Sequence, residues 1–126
     1  MGDGGFDVVI GNPPYVEYNT VRDDYSVVGY ATEPCGNLYA YVTERSVALG
    51  YDTSRISLIV PISIVCTSRM AELRELVLTK SSHTWFAHFD TIPSTLFDGI
   101  VQRNTILTMN RSDTRSTTVA RTTTLR

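Results

Sequence analysis

Two adjacent prolines, Pro13 and Pro14, close the apolar run Phe6-Asp7-Val8-Val9-Ile10, and that junction limits the fold more than any other feature of the chain. A short run dominated by β-branched residues reads as a strand buried on both faces, the pattern of a parallel sheet. Neither proline carries an N–H for a sheet ladder, so the strand has to stop at Gly11-Asn12. The stretch that follows, through Gly36, is rich in Tyr, Asp and Gly and is too long for a plain connection. Loops of that length in a compact domain are commonly functional.

Beyond the loop the periodicity changes. Asn37 is placed to cap a helix over 38–49, with Leu38, Tyr41, Val42 and Leu49 on its apolar face and Gly50 as a left-handed stop. Residues 55–64 read as a second buried strand. Ser68 opens a further helix over 69–79, with Met70, Leu73 and Val77 as its stripe. Residues 85–89 and 105–109 read as two more strands, separated by a turn at Asp98-Gly99. The order strand, helix, strand, helix, strand, strand predicts an α/β fold: parallel strands with helical crossovers, in a mixed sheet whose last pair is antiparallel. This unit is expected over 1–110. Residues 111–126, rich in Thr, Ser and Arg without a period, are expected to be a tail or linker, or a strand lacking its partners.

At 126 residues and 14.0 kDa, with 42% hydrophobic and 19% charged residues, the chain has the size and composition of one soluble domain. It has no apolar run near the roughly 20 residues of a membrane span and no basic, apolar leader, so the cytoplasm is the expected compartment. Cys35 and Cys66 lack ligand spacing and are expected to be reduced thiols, and His83 and His88 match no common metal pattern. The net charge of −2 does not itself suggest a nucleic-acid binder. Its distribution is uneven, however. Asp3, Asp7, Glu17, Asp23, Asp24 and Glu33 precede Cys35 with Arg22 the only base, whereas Arg103, Arg111, Arg115, Arg121 and Arg126 face only Asp113 at the other end. A basic end of this kind either lies along a phosphate backbone or is a solvated tail.

In open α/β sheets ligands bind beyond the carboxyl ends of the strands, which is where Asn12-Pro13-Pro14-Tyr15 falls. An exocyclic amine such as that of adenine is a poor nucleophile because its lone pair is delocalised into the ring. Two acceptors facing its two N–H groups favour a tetrahedral nitrogen with its lone pair aimed outward. The Asn12 amide oxygen and the Pro13 carbonyl can be those acceptors, the second held stiffly by the fixed φ of consecutive prolines. Positioning and electrostatic preorganisation then carry the chemistry. Tyr15 offers a flat face on which an extruded base can stack.

The string from Phe6 to Tyr18, Phe-Asp-Val-Val-Ile-Gly-Asn-Pro-Pro-Tyr-Val-Glu-Tyr, resembles the catalytic motif of adenine-N6 DNA methyltransferases of restriction–modification systems, fused restriction–methylation enzymes included. Gly36-Asn37-Leu38-Tyr39, Ser57-Leu58-Ile59-Val60-Pro61 and Leu96-Phe97-Asp98 with 102–107 are similar to later segments of that family, so the resemblance runs along nearly the whole chain. It implies the C-terminal half of a Rossmann-like sheet and S-adenosylmethionine as methyl donor. It implies roles for Asn12, Pro13, Pro14 and Tyr15 at a flipped adenine, and for Phe97 as the aromatic on the opposite face of the base. Arg103, with Gln102 and Asn104, is expected at the DNA surface.

The same family carries a glycine-rich turn after its first strand, an acidic residue after its second, and a DNA-recognition domain. This sequence shows none of them: Gly2-Asp3-Gly4-Gly5 precedes a strand instead of following one. The residues of the cofactor site are therefore not assignable, and the chain alone is expected to bind the donor weakly, to methylate nothing detectably and to need a partner at its open sheet edge. Two alternatives stay open: related motif-bearing enzymes that methylate RNA or protein glutamine, and a non-catalytic relic or partner subunit.

Overall fold

The computed structural model describes residues 4–90, 102–114 and 119–123. In chain order the elements are β1 (Phe6–Gly11), α1 (Tyr18–Val21), α2 (Leu38–Leu49), β2 (Gly50–Pro61), α3 (Ser63–Cys66), α4 (Ala71–Thr79), β3 (Ser81–Phe89), β4 (Asn104–Arg111) and β5 (Val119–Thr122), with single 3-10 turns at Glu33–Cys35 and Ser68–Met70. The strands make one sheet in the order β1-β2-β4-β3-β5. β1 and β2 are parallel, joined over α2, with Gly11 opposite Leu58. β4 is antiparallel to β2 and to β3, and it separates those two strands. The fold is therefore α/β with a mixed sheet and an antiparallel β3–β4 pair, as the order of elements predicts. β5 lies parallel beside β3, so this part of the Thr/Arg-rich stretch finds its ladder within the chain.

The core is made by alternate residues of the sheet, Ile56, Leu58 and Val60 with Phe86, Leu107 and Met109, against Tyr39, Ala40 and Val47 of α2 and Leu73 and Val77 of α4. The α4 stripe is buried as its spacing predicts, Met70 included. Asn37 caps α2 by accepting the Tyr39 N–H.

Three local expectations are corrected. The buried face of α2 is Tyr39, Ala40, Tyr41, Thr43, Ser46 and Val47, whereas Val42 is exposed and Leu38 and Leu49 are only half-buried. Thr43 and Ser46 donate to the carbonyls of Tyr39 and Val42 in their own helix, which satisfies the hydroxyls and lets them pack inward. Gly50 is not left-handed. Its backbone is extended (φ −81°, ψ 153°) because the helix runs straight into β2, and a Cβ there would stand 2.2 Å from Ser54 Oγ. Finally, β1 is not buried on both faces: Phe6, Val8 and Ile10 are 60%, 61% and 79% exposed. Successive side chains alternate across a strand, and only Val9 reaches the core on the α2 side. Among the described residues β1 has a single neighbour, β2, so its composition is that of an inner strand and its place is an edge.

Candidate active site

The adjacent carboxyl ends of β1 and β2 hold the motif. Pro13 is buried, Asn12 and Pro14 are exposed, and Tyr15 is half-buried. The Tyr15 hydroxyl donates to the Ile59 carbonyl at 2.8 Å, which ties the motif to β2, and it stands 3.2 Å from Asn12 Oδ1. Its single proton belongs to the shorter contact, which leaves the Asn12 oxygen with capacity to accept. Burial raises the Tyr15 pKa, so the phenol is neutral at physiological pH.

The Tyr15 ring meets Tyr39 edge-on, with centroids 6.1 Å apart and planes at 82°. Tyr39 is fixed in turn by a 2.7 Å hydrogen bond between its hydroxyl and Ser63 Oγ, and burial pushes its pKa up to about 12. These two rings, Asn37 and the segment Pro61, Ile62 and Ser63 wall a cavity of about 620 Å3, rimmed by Glu17, Arg69, Gln102 and Arg103. That volume is in the range of small-ligand pockets.

Arg103 lies on the rim, largely exposed, and its Nε donates to Asp90 at 2.9 Å. Its carbonyl accepts the Ile62 N–H at 3.0 Å, which holds the start of β4 against the end of β2. Gln102 also lines the cavity, but Asn104 is only 2% exposed and cannot reach a DNA surface. Phe97 lies outside the described residues.

Sequence reading missed Glu17 and Arg69 as a pair, and the contribution of Tyr39 and Ser63. Arg69 Nη1 donates to Glu17 Oε1 at 3.0 Å, its Nη2 to Glu17 Oε2, and Nη2 also to the Gly36 carbonyl at 2.8 Å. That hydrogen-bonded pairing holds the Glu17 carboxyl below its usual range and raises Arg69. Nothing local near Glu17 announces a partner so distant in sequence; only the left-handed glycine at Gly36 hints at a close approach there.

The Eco57I restriction-modification methylase family matches residues 1–94, a span that includes β1, the motif and the Glu17–Arg69 pair. The chain belongs to that family. A search of curated proteins finds no match to this chain. Among solved structures, a Listeria monocytogenes protein described as a class I S-adenosylmethionine-dependent methyltransferase aligns at 16% identity and TM-score 0.59, over 97% of this chain and 38% of its own. The Type ISP restriction-modification enzyme LlaBIII, solved bound to DNA, aligns at 15% identity and TM-score 0.66, over 95% of this chain and 10% of its own. A nuclease-deletion mutant of the Type ISP enzyme LlaGI, with a DNA substrate mimic, gives 14%, 0.66, 94% and 12%. These likenesses establish the S-adenosylmethionine-dependent methyltransferase fold. The chain spans well under half the length of each of these structures. No helix among the described residues is long and apolar enough to cross a membrane, and no group of three or more His, Cys, Asp or Glu among them is placed to hold a metal.

Proposed function

We propose that this methylase chain is the target-base part of a DNA methyltransferase acting on the N6 amine of adenine. The observation that carries the reading is the end of β1, where an exposed Asn12 and a buried Pro13 lead into Tyr15, which is anchored to β2 and lines a cavity large enough for a base. Asn12 Oδ1 and the Pro13 carbonyl accept the two N–H groups of the amine and turn its lone pair toward the methyl donor. Tyr15 stacks on one face of the flipped ring, which contributes about 1–3 kcal/mol. Phe97 is assigned to the other face, and Arg103 to a flanking phosphate. DNA as the substrate is supported by the two structurally similar enzymes solved with DNA.

S-adenosylmethionine is the methyl source that the family implies, but the described residues do not fit its site. The turns that leave β1 and β2 are built on Pro13-Pro14 and Pro61, and neither offers a glycine-rich run of backbone N–H groups. The donor site is assigned to polypeptide that pairs with the edge of β1 left open among the described residues, and the DNA-recognition surface to a separate domain. The short share of the similar structures that the chain spans supports this division.

The test is methyl transfer by the full-length gene product to duplex DNA, ribosomal RNA and release factor in parallel. Label is expected on adenine N6 of the DNA alone. Asn12→Ala is expected to lower the rate by about 10²-fold or more, with stability changed by no more than about 0.5 kcal/mol because the side chain is exposed. Unchanged transfer by Asn12→Ala, or label on RNA or protein in place of DNA, overturns the reading.

A further inference from the structure

We infer that Arg69 is a positioning residue for the base cavity, acting with Glu17 and Gly36 as a staple that fixes the chain just after the motif. The inference deepens the functional reading above and rests on it for what the staple serves. Residues 16–18 leave Tyr15 and run antiparallel to 36–38: the Tyr18 N–H donates to the Gly36 carbonyl at 2.9 Å, and the Leu38 N–H to the Val16 carbonyl at 2.9 Å. This ladder carries a single isolated bridge, Glu17 opposite Asn37, and is too short to persist without support.

Arg69 supplies that support from a third segment, the 3-10 turn Ser68–Met70. Its guanidinium spans both oxygens of Glu17 on one side of the ladder and the Gly36 carbonyl on the other. A planar fork makes this three-way contact, whereas an ammonium offers a point charge without the geometry. Gly36 is shaped for it twice over. Its φ of +63° is a conformation that side chains disfavour, and a Cβ there would lie 2.6 Å from Arg69 Nη2. Asn37 adds a weaker contact to Glu17 at 3.4 Å while capping α2, so the helix that carries Tyr39 is tied to the same staple. Tyr15 and Tyr39 form the aromatic corner of the cavity, and each is one or two residues from a stapled backbone position.

Releasing Arg69 removes one residue from the rim of the cavity and frees the segment that carries its aromatic corner, while Asn12, Pro13 and Tyr15 themselves are retained. A displacement of about 1 Å in a reacting group can cost up to about 10²-fold in rate. Because both partners are about half exposed, the ion pair itself adds little to global stability.

The experiment uses the full-length gene product and the variants Arg69→Ala, Arg69→Lys, Glu17→Gln and Asn12→Ala. Arg69→Ala and Glu17→Gln are expected to lower kcat about tenfold with KM for DNA nearly unchanged, and Arg69→Lys to restore only part of the loss. The double variant should be no slower than either single one, since both remove one device. In parallel, amide hydrogen exchange at Tyr18 and Leu38 should quicken in Arg69→Ala while core amides of β2 keep their protection. A wild-type kcat in Arg69→Ala, or a rise in KM alone, overturns the inference; the second result makes Arg69 a DNA contact. If the wild-type protein transfers no methyl group to DNA, the functional reading fails first. The staple is then judged on exchange alone, and unchanged amides at Tyr18 and Leu38 overturn it.

Discussion

The two edges of the sheet end in opposite ways. β5 is short and exposed along its whole length, and half of it is polar, Arg121 and Thr122. It is held by side chains: His88 on β3 places Nε2 2.7 Å from Thr122 Oγ1 and Nδ1 2.8 Å from Thr105 Oγ1, and the His88 N–H donates to Thr123 Oγ1. A four-residue, Thr- and Arg-bearing strand is the way natural sheets blunt an edge. β1 has six residues and turns Phe6, Val8 and Ile10 to solvent. Its protections are Asp7 and an irregularity in its pairing with β2 between Phe6 and Val8, and it leads directly into the motif. The difference teaches that, among the described residues, β5 has the make-up of a blunted edge, whereas β1 has the composition of an inner strand at an edge position.

The largest effect should come from giving β1 the protection that β5 has. The chain 1–126 by itself is expected to self-associate through β1, eluting above the size of a 14.0 kDa monomer in size-exclusion chromatography. Val8→Lys with Ile10→Lys should return it to monomer size. Burying one such side chain contributes about 1.5–3 kcal/mol, so the pair should weaken association by more than about tenfold. Stability of the monomer should stay nearly unchanged, because neither side chain contributes to the core. A wild-type chain that stays monomeric at high concentration breaks the comparison.

How much of this was readable from the residues depends on the range of the physics involved. The stop at Pro13-Pro14, the α4 stripe and the antiparallel β3–β4 pair are set by local chemistry, and all appear where the sequence puts them. The apolar run of β1 specified a strand correctly but its burial on both faces wrongly, because exposure is a property of neighbours and cannot be read from the strand itself. The buried face of α2 was misread because Thr43 and Ser46 satisfy their hydroxyls within the helix and so behave as core residues. Nor did any local pattern reveal that β4 would insert between β2 and β3, since chain order does not fix strand order. At the site, Asn12 and Tyr15 were legible from a contiguous motif. Arg69, 52 residues from Glu17, was not.

A moderate effect is expected at the other edge. Thr122→Val keeps a β-branched side chain suited to a strand but removes the partner of His88 Nε2. The loss should be about 0.5–1.5 kcal/mol by denaturant unfolding, the usual worth of one such hydrogen bond. The same substitution should leave the self-association of β1 untouched. Equal shifts in both measurements would mean that the edges are coupled and not independent.

The smallest effect is a pH dependence confined to the β5 side. Burial lowers the His88 pKa below its usual 6.5, because the charged ring is disfavoured away from water. Above that value both the folded and the unfolded chain hold a neutral ring, and His88 gives stability no slope. As pH falls through 6.5 the unfolded chain takes up a proton that the folded one resists, so stability declines until the folded pKa is reached. The lowered pKa of Glu17 acts in the opposite part of the scale: its stabilisation is present above the usual carboxylate value of 4.5 and fades as pH drops below it. A thermal melt series between about pH 7.5 and about pH 5.5 thus isolates His88 from Glu17. The melting temperature should fall modestly toward the acid end, and His88→Gln should flatten that slope. A slope that survives His88→Gln would show that the acid sensitivity lies elsewhere than in the hydroxyl clamp around His88.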